Sequence, residues 1–447
     1  MRRGAQGILL LLVAALWMGR ECAAQPLQSP SLPTQPAGYI QYAITNAPSY
    51  YKNGLAAGAN NTPGDNAITN PGATLGRVLF YDKRLSHSNG VSCASCHKQA
   101  NGFSDPAQFS QGVNGVTGRH SMALANAMYY AGGKAFWDER AASLEAQALV
   151  PIENAVEMGS TLSGVISELN QTTFYPTLFT AAFGTPDITA ERIGKAIGQF
   201  ERSMVSYQSK FDQAFTNPSL LTPQESAGMT VFNSKGKCNQ CHTSNAHFSD
   251  TTHNIGLDPA GLGDLGAGNG KFKSPSLRNV AVRGRFMHDG RFTTLAQVIN
   301  FYNAQVIQNP DLATQLQTPL NLNPTERADL EAFLLTLTDN AFLTSSLFSD
   351  PFVNLPGDYN GDGAVDQGDY VVWRNSTGDT TQLLADGNND LIVNELDYAV
   401  WRQNFGNTWL SLASGSGVGS ALVPEPCGFV LMMIAFGAIA NLRRRGV

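Results

Sequence analysis

The pentapeptide Cys-x-x-Cys-His occurs twice in this chain of 447 residues, at positions 93–97 and 238–242. In such a pentapeptide the two thiols add covalently across the vinyl groups of a haem, and the histidine ligates the iron from the proximal side. The two copies use four of the six cysteines in the chain. They predict two covalently bound haem c groups, attached through Cys93, Cys96, His97, Cys238, Cys241 and His242.

A four-ligand zinc site, or a pair of redox dithiols, is the alternative interpretation of the same cysteines. Zinc-binding Cys-x-x-Cys pairs do not require a histidine directly after each second cysteine. Both copies in this chain have one. The pattern therefore favours haem over zinc.

The N-terminus has the pattern of an export signal over residues 1–24. Two arginines precede an apolar run at positions 8–17, and small residues up to Ala24 mark a cleavage site. The mature protein is therefore expected outside the cytoplasm, in the periplasm or at the cell surface. Residues 25–70 are rich in Pro, Gln, Ser, Asn and Gly, and are expected to form a linker or a loosely docked N-terminal arm.

The C-terminal residues 423–447 resemble a PEP-CTERM sorting signal. A Pro-Glu-Pro motif at 424–426 is followed by an apolar segment at 428–442 and three arginines. The resemblance implies association with the membrane, at least until a processing enzyme removes the tail. A simple tail anchor is the alternative, and it has the same consequence for location.

The remaining pattern is mainly helical and acidic. Apolar residues recur at helical spacing around positions 75–80, 193–204 and 330–337, and no run of alternating strands is visible. The sequence predicts two helical haem domains, at 71–222 and 223–347. The formal net charge is −6 and no basic stripe is present, so nucleic acid is not an expected partner.

An internal repeat with an offset of 28 residues occupies the region 355–410. Oxygen-bearing side chains fall at positions 1, 3, 5, 9 and 12 of each loop, which suits a hard cation such as calcium. The region resembles a dockerin module, which implies a small helical, EF-hand-like unit, bound calcium and a possible cohesin-like partner; a calcium-stiffened spacer would have the same sequence. The predicted ligands are Asp358, Asn360, Asp362, Asp366 and Asp369 in the first loop, and Asp386, Asn388, Asp390, Asn394 and Asp397 in the second.

Residues 70–340 resemble the bacterial di-haem cytochrome c peroxidase and MauG family. The matching motifs are Phe-Trp-Asp at 136–138, Val-Glu-Met at 156–158 and two segments after the second haem motif, 273–280 and 287–290. The resemblance implies two cytochrome c-like domains packed together. It also implies that hydrogen peroxide reacts at the first haem and that the second haem holds or relays electrons.

The resemblance also assigns roles to residues around the first haem. Glu157 would lie over its distal face, where O–O cleavage needs a group that moves a proton between the two peroxide oxygens. Gln147 and Pro151 would line the same pocket. Trp137 would lie between the two haems and carry electrons, although a lone tryptophan is more often part of a core. An exposed helix-face position is the alternative for Glu157.

The sixth ligand of the second haem is expected to be Tyr302, with Met287 as the rival. The peroxidases have methionine at the position that Tyr302 occupies, whereas the MauG branch has tyrosine. An anionic oxygen ligand favours ferric and higher-valent iron, whereas methionine raises the haem potential. Tyr302 also shares one helical face with Leu295, Val298 and Ile299, as a core tyrosine would.

Two further family features are expected to be missing. The position of the calcium ligand between the haems is taken by His120, a poor ligand for that ion. The displaceable histidine of the peroxidases matches roughly Val113, so the first haem is expected to be five-coordinate or water-bound. A hydrogen-bonded structural role is expected for His120.

Three functions follow from these patterns. The first is reduction of hydrogen peroxide at the first haem, with electrons supplied by a donor protein through the second haem. The second is MauG-like, peroxide-dependent oxidation of a protein or bulky substrate. The third, of a different class, is non-catalytic electron transfer at the cell surface, which has no use for Glu157.

Overall fold

The structure, a computed structural model, describes residues 30, 42, 47–243, 251–345, 347–352, 356–359, 365–380, 385–388, 390 and 392–407. The predicted signal peptide and sorting signal lie outside the described residues, as do Asn360 and Asp362 of the first predicted calcium loop. The chain divides into a larger unit, Ser29–Phe352, and a smaller unit whose described part is residues 356–407. None of the helices in the described ranges is both long enough and apolar enough to cross a membrane.

The larger unit is built from helices joined by long loops, as the sequence predicts. Its helices are α1 (Ser49–Lys52), α2 (Gly54–Gly58), α3 (Asn70–Tyr81), α4 (Cys93–Cys96), α5 (Leu144–Glu153), α6 (Leu162–Asn170), α7 (Tyr175–Phe183), α8 (Ala190–Ser203), α9 (Lys210–Ala214), α10 (Pro223–Asn233), α11 (Leu295–Ala304), α12 (Pro324–Leu335) and α13 (Asn340–Leu343). Short 3₁₀ turns lie at Lys83–Leu85, Gln99–Asn101, Pro218–Leu220, Cys238–Gln240, Val280–Val282 and Thr314–Leu316.

Two short antiparallel hairpins complete the described part of this unit. The first pairs β1 (Gln111–Gly112) with β2 (Gly115–Val116). The second pairs β3 (Thr252–Asn254) with β4 (Lys271–Lys273). Each hairpin lies beside one of the sites described below.

Helices α3 and α8 form the centre of the first half. Thr69 and Thr189 cap their N-termini, and the buried side chains of Leu75 and Ile193 belong to one apolar cluster. The helices cross so closely that a Cβ on Gly76 would lie 1.9 Å from the carbonyl oxygen of Ala196. Only glycine permits so close a contact. Both helices lie where the apolar spacing predicts them.

Helices α10 and α12 play the same part in the second half. Asn323 caps α12 and forms a reciprocal capping box with Glu326. Phe232 and Phe333 meet in the core between the helices. A Cβ on Gly228 would lie 1.9 Å from the carbonyl oxygen of Asp329, so the two backbones are again in contact.

The predicted N-terminal arm is not loose at its C-terminal end. Tyr51 and Ala56, on α1 and α2, are buried in a cluster with Met128 and Tyr129. The hydroxyl of Tyr51 donates a hydrogen bond of 2.8 Å to the carbonyl oxygen of Ser206. Aromatic and small apolar residues at positions 47–59 are therefore part of the core, and the bounds of the predicted arm stay a prediction.

The described part of the smaller unit contains two helices, α14 (Gln367–Ser376) and α15 (Glu395–Asn404), one in each sequence repeat. Asp366 and Asn394 cap their N-termini. The indole of Trp373 donates to the carbonyl oxygen of Asn394, and that of Trp401 donates to Asp366, each at 2.8 Å. The repeats therefore hold each other by reciprocal bonds.

Candidate functional site

The first Cys-x-x-Cys-His motif forms a single helical turn, α4, with His97 directly after it. The Nδ1 of His97 lies 3.0 Å from the carbonyl oxygen of Phe103. Because a carbonyl only accepts, Nδ1 carries the proton and Nε2 is left as a ligand atom. Burial lowers the pKa of His97, which favours the neutral imidazole that binds iron.

His97 lines a cavity of about 530 Å³, and the three predicted catalytic residues lie in the same wall. Gln147 and Pro151 come from α5, Glu157 follows that helix, and Trp137 comes from the loop before it. Pro151 has no backbone N–H, so the backbone carbonyl of Gln147, one turn earlier, does not receive the usual helical hydrogen bond. The Oε1 of Gln147 is buried and meets no hydrogen-bond donor among the described residues. A polar atom is thus available to a group bound in the cavity.

Glu157 is held by its neighbours on both its backbone and its side chain. The backbone N–H of Val113, beside β1, donates 2.9 Å to the carbonyl oxygen of Glu157. The amide of Asn154 donates 2.9 Å to its carboxylate. Burial raises the pKa of Glu157, and the charge of Arg140 partly opposes the rise. The side chain is therefore suited to accept and return a proton nearer neutral pH than an exposed glutamate.

The backbone of Glu157 also packs against a glycine that no larger residue could replace. A Cβ on Gly112 would lie 2.1 Å from the carbonyl oxygen of Val156 and 2.8 Å from the Cα of Glu157. The β1–β2 hairpin thereby sets how far Glu157 reaches into the cavity. Local sequence patterns did not reveal this contact.

The second Cys-x-x-Cys-His motif borders a separate cavity of about 180 Å³. Cys238, Cys241 and His242 line it. Burial lowers the pKa of His242 to about 4, so the imidazole is neutral. Among the described residues, its buried Nδ1 meets no hydrogen-bond partner.

Both candidate sixth ligands lie in the wall of the second cavity. Tyr302 comes from α11, and burial raises the pKa of its hydroxyl. Met287 lies in a loop with φ of 71°, in the left-handed region that non-glycine residues seldom adopt. The choice between the two ligands stays a prediction.

Trp137 lines both cavities. Its indole N–H donates a hydrogen bond of 2.8 Å to the carbonyl oxygen of His120. The backbone N–H of Lys273, at the end of β4, donates 2.8 Å to the carbonyl oxygen of Trp137. The tryptophan is thus fixed between the two cavities.

His120 also lies beside both cavities, with its ring already engaged. Its Nε2 lies 3.1 Å from the hydroxyl of Ser104, and its Nδ1 lies 3.2 Å from the carbonyl oxygen of Gln108. Both ring nitrogens therefore hold the loop together, consistent with the structural role expected of this residue.

The arrangement of the cysteines fits two haem groups. Cys93, Cys96, Cys238 and Cys241 are free thiols. His97, which follows the first pair, lines the first cavity, and His242, with Cys238 and Cys241, lines the second. Within the described ranges, the single cluster of three or more metal-binding side chains lies elsewhere, in the smaller unit. The alternative of one shared zinc site has no support in this geometry.

Several contacts around the first cavity were missed by sequence reasoning. Arg119 pairs with Asp138 at 2.7 Å and with Asp264 at 2.5 Å. Tyr130 lines the cavity and donates a hydrogen bond to Glu139. Because Asp264 is 145 residues from Arg119, no local pattern could have paired them.

The model of the family described as di-haem cytochrome c peroxidase matches residues 70–219 and 231–353. The chain belongs to this family. This membership agrees with the two cavities that His97 and His242 line. It confirms the predicted family, the enzyme class of oxidoreductase and the binding of two haem c groups. All the matched residues except the last, at position 353, belong to the larger unit.

Individual members of the family are similar over most of their length. The methylamine utilization protein MauG of Methylophilus methylotrophus is 35% identical over 293 residues, which cover 62% of this chain and 86% of MauG. The cytochrome c551 peroxidase of Nitrosomonas europaea is 33% identical, over 60% of this chain and 79% of that protein. This chain is thus similar both to a MauG protein and to a cytochrome c peroxidase.

Solved structures agree in fold. The crystal structure of a MauG-like protein associated with microbial copper homeostasis has a TM-score of 0.59 and 31% identity, and covers 65% of this chain and 96% of that one. The di-haem peroxidase BthA of Burkholderia thailandensis has a TM-score of 0.53 at 21% identity, covering 73% and 99%. The latter likeness concerns the fold alone.

In the smaller unit, carboxylate oxygens of Asp386, Asp390 and Asp397 all lie within 4.8 Å of one another. They come from the second predicted calcium loop. Asp397 is fully buried and accepts the backbone N–H of Gly387 at 2.8 Å. In the same loop, the amide groups of Asn388 and Asn394 both donate to Asp390.

Proposed function

We propose that this di-haem peroxidase reduces hydrogen peroxide in the first cavity, with electrons that arrive from the second haem through Trp137. The observation that carries the proposal is that His97, Glu157 and Gln147 converge on one cavity, whose wall shares Trp137 with the second. When bound, the first haem supplies the iron at which the peroxide is reduced.

Glu157 and Gln147 prepare that cavity for peroxide. The carboxylate of Glu157 accepts a proton from one peroxide oxygen and returns it to the other. The O–O bond then breaks, and the oxygen that received the proton leaves as water. The unpaired amide oxygen of Gln147 accepts a hydrogen bond from bound peroxide and orients it. Burial keeps His97 neutral, and the carbonyl oxygen of Phe103 holds its one ring proton on Nδ1.

The experiment is to replace Glu157 by Gln in the haem-loaded full-length protein and to measure peroxide turnover. The amide has the same shape but cannot accept a proton, so turnover falls by on the order of a hundredfold to ten thousandfold. The matched control is Glu153→Gln, since Glu153 is an exposed carboxylate at the end of α5. Equal turnover in Glu157→Gln and the wild type would rule out this role.

MauG-like oxidation of a protein or bulky substrate is the second candidate function. Its support is the position of Tyr302 in the wall of the second cavity, together with the MauG relatives. The ferric electron paramagnetic resonance spectra of Tyr302→Phe and Met287→Leu test it. A change in the second haem signal with Tyr302→Phe alone is the expected result, and a change with Met287→Leu alone would refute it.

A non-catalytic surface electron carrier has less support, because the first cavity presents Glu157 and Gln147 to any bound group. A carrier of this kind would have two six-coordinate haems and no response to peroxide. The same spectra, recorded before and after peroxide is added, distinguish it.

The smaller unit is proposed to bind calcium as a dockerin-like module, which would serve a cohesin-like partner protein. The clustered carboxylates of Asp386, Asp390 and Asp397 support it, since calcium prefers such oxygen ligands. Calorimetric titration of chelator-treated protein with calcium tests the site. Asp390→Asn should weaken binding, whereas Asp187→Asn, at an exposed position in the larger unit, should not.

Export and membrane association are also proposed, from the sequence patterns of residues 1–24 and 423–447. Cell fractionation of the full chain and of a form that ends at residue 422 tests them. Loss of membrane association in the shorter form is expected. Recovery of both forms in the cytoplasm would contradict the export signal.

A further inference from the structure

Tyr130 lies in the wall of the first cavity but has no part in the peroxide reaction described above. Its side chain is 2% exposed, yet the next two residues, Ala131 and Gly132, are at the surface. Its hydroxyl donates a hydrogen bond to the carboxylate of Glu139. A buried phenol with its own proton acceptor thus stands between the cavity and the solvent.

The loop that carries Trp137 also holds Glu139 against Tyr130. Ala135 and Ala141 form an antiparallel bridge that closes the loop, with a backbone hydrogen bond of 2.9 Å. Phe136 and Glu139 both have positive φ, at 69° and 56°. Non-glycine residues keep such a conformation only where their surroundings enforce it. The position of the Glu139 carboxylate is therefore set by the fold.

Lys273 determines whether Tyr130 can lose an electron while it keeps its hydroxyl proton. Its ammonium lies 3.7 Å from the centroid of the Tyr130 ring and donates 3.0 Å to the carbonyl oxygen of Lys134. A positive charge over the ring opposes formation of a second positive charge on it. The phenol can then be oxidised only if its proton leaves at the same time, and Glu139 is placed to receive it.

We propose that Tyr130 is a redox-active tyrosine that carries oxidising equivalents from the first cavity towards the surface at residues 131–134. The proposal rests on the proposed peroxide reaction, which supplies the oxidant. Tyr130 gives one electron to the oxidised site in the cavity and its hydroxyl proton to Glu139, which leaves a neutral phenoxyl radical. A one-electron reductant at the surface returns the electron, and Glu139 returns the proton.

The test is a freeze-quench electron paramagnetic resonance experiment on the haem-loaded full-length protein, mixed with hydrogen peroxide without a donor. Samples are grown with ring-deuterated tyrosine or ring-deuterated tryptophan. The expected organic radical signal narrows with labelled tyrosine, is lost in Tyr130→Phe and forms severalfold more slowly in Glu139→Gln. The control is Tyr175→Phe, which removes a buried tyrosine hydroxyl bonded to Asp82 at 2.6 Å, outside both cavities, and keeps the full signal.

The outcomes separate the two proposals. A wild-type protein that consumes no peroxide overturns both. Peroxide consumption with a tyrosine signal that survives in Tyr130→Phe, or with a signal that responds only to labelled tryptophan, overturns the role of Tyr130 alone. If Tyr130→Phe does not fold with its full haem content, Glu139→Gln decides, because radical formation at the wild-type rate in that variant overturns the proposal.

Discussion

The indole of Trp137 donates a 2.8 Å hydrogen bond to the carbonyl oxygen of His120, and both residues line both cavities. The backbone N–H of His120 in turn donates 2.7 Å to the carbonyl oxygen of His288, which lines the second cavity. The tryptophan is therefore held by a chain of bonds that runs from one haem-binding half to the other.

Replacing Trp137 by Phe should slow electron transfer between the two haems severalfold. Phenylalanine lacks the N–H that bonds to His120 and has a smaller ring, so the relay loses both position and contact area. Stopped-flow spectroscopy of the half-reduced protein measures the rate. Trp373→Phe, in the smaller unit, is the control and should transfer electrons at the wild-type rate.

The rate of reaction with peroxide should fall as the pH is lowered, and the midpoint of this fall should lie above pH 4.5, the ordinary pKa of a glutamate side chain. Burial raises the pKa of Glu157, and the protonated form cannot act as a base, so activity is lost as pH falls through the raised pKa. Arg140 lowers that pKa through its charge. Arg140→Gln should therefore move the acid limb to higher pH, and a shift to lower pH would contradict this electrostatic relation.

Replacing Gly112 by Ala should displace Glu157 and reduce peroxide turnover. The added Cβ would meet the carbonyl oxygen of Val156 at 2.1 Å, so the backbone of the glutamate must move. Misplacement of a reacting group by about 1 Å can cost about a hundredfold in rate. Steady-state kinetics measures the loss. Gly64→Ala is the control, since nothing lies within 4 Å of the Cβ that it would add and Gly64 lines neither cavity.

Replacing Glu145 by Gln should destabilise the fold by about 3 kcal/mol at neutral pH, since it leaves the buried Arg202 without its charge partner. Burial alone would raise the pKa of Glu145, but hydrogen bonds from Arg202 and Asn66 lower it to about 2. The stabilisation is thus present above the ordinary value of 4.5 and is lost as pH falls towards 2.

Denaturant unfolding of wild-type and Glu145→Gln protein at several pH values measures this difference. The gap in unfolding free energy should shrink as pH falls from 4.5 to 2. The control is Glu191→Gln, which removes an exposed pair with Lys195 at 2.8 Å and should change stability little. A gap that is independent of pH would contradict the ion-pair explanation.

Much of the candidate site was accessible from the sequence because its chemistry is concentrated in short motifs. Cys93 to His97 must bind one haem together, since covalent attachment needs all of them within one helical turn. Glu157 and Trp137 were found through the resemblance to the family, and the structure places both in the first cavity. The helices α3, α8 and α12 were predicted from apolar residues at helical spacing.

Contacts between distant segments were not accessible in this way. The end of the N-terminal arm has the composition of a linker, but Tyr51 is buried against Tyr129. The pairing of Arg119 with Asp264 and the approach of Gly112 to Val156 depend on how loops meet in space. Sequence periodicity reports local conformation and burial, and does not specify the partner.

The sequence by itself determined that two haem groups are attached, which histidines are available to them, and that the surrounding domains are helical. These properties follow from covalent chemistry and from spacing along one helix. Tertiary structure alone decided that Trp137 lines both cavities and that Gly112 sets the position of Glu157. It also decided that the carboxylate of Glu139 accepts a hydrogen bond from the hydroxyl of Tyr130. Such relations depend on packing between segments far apart in the chain, where shape and burial select the neighbours.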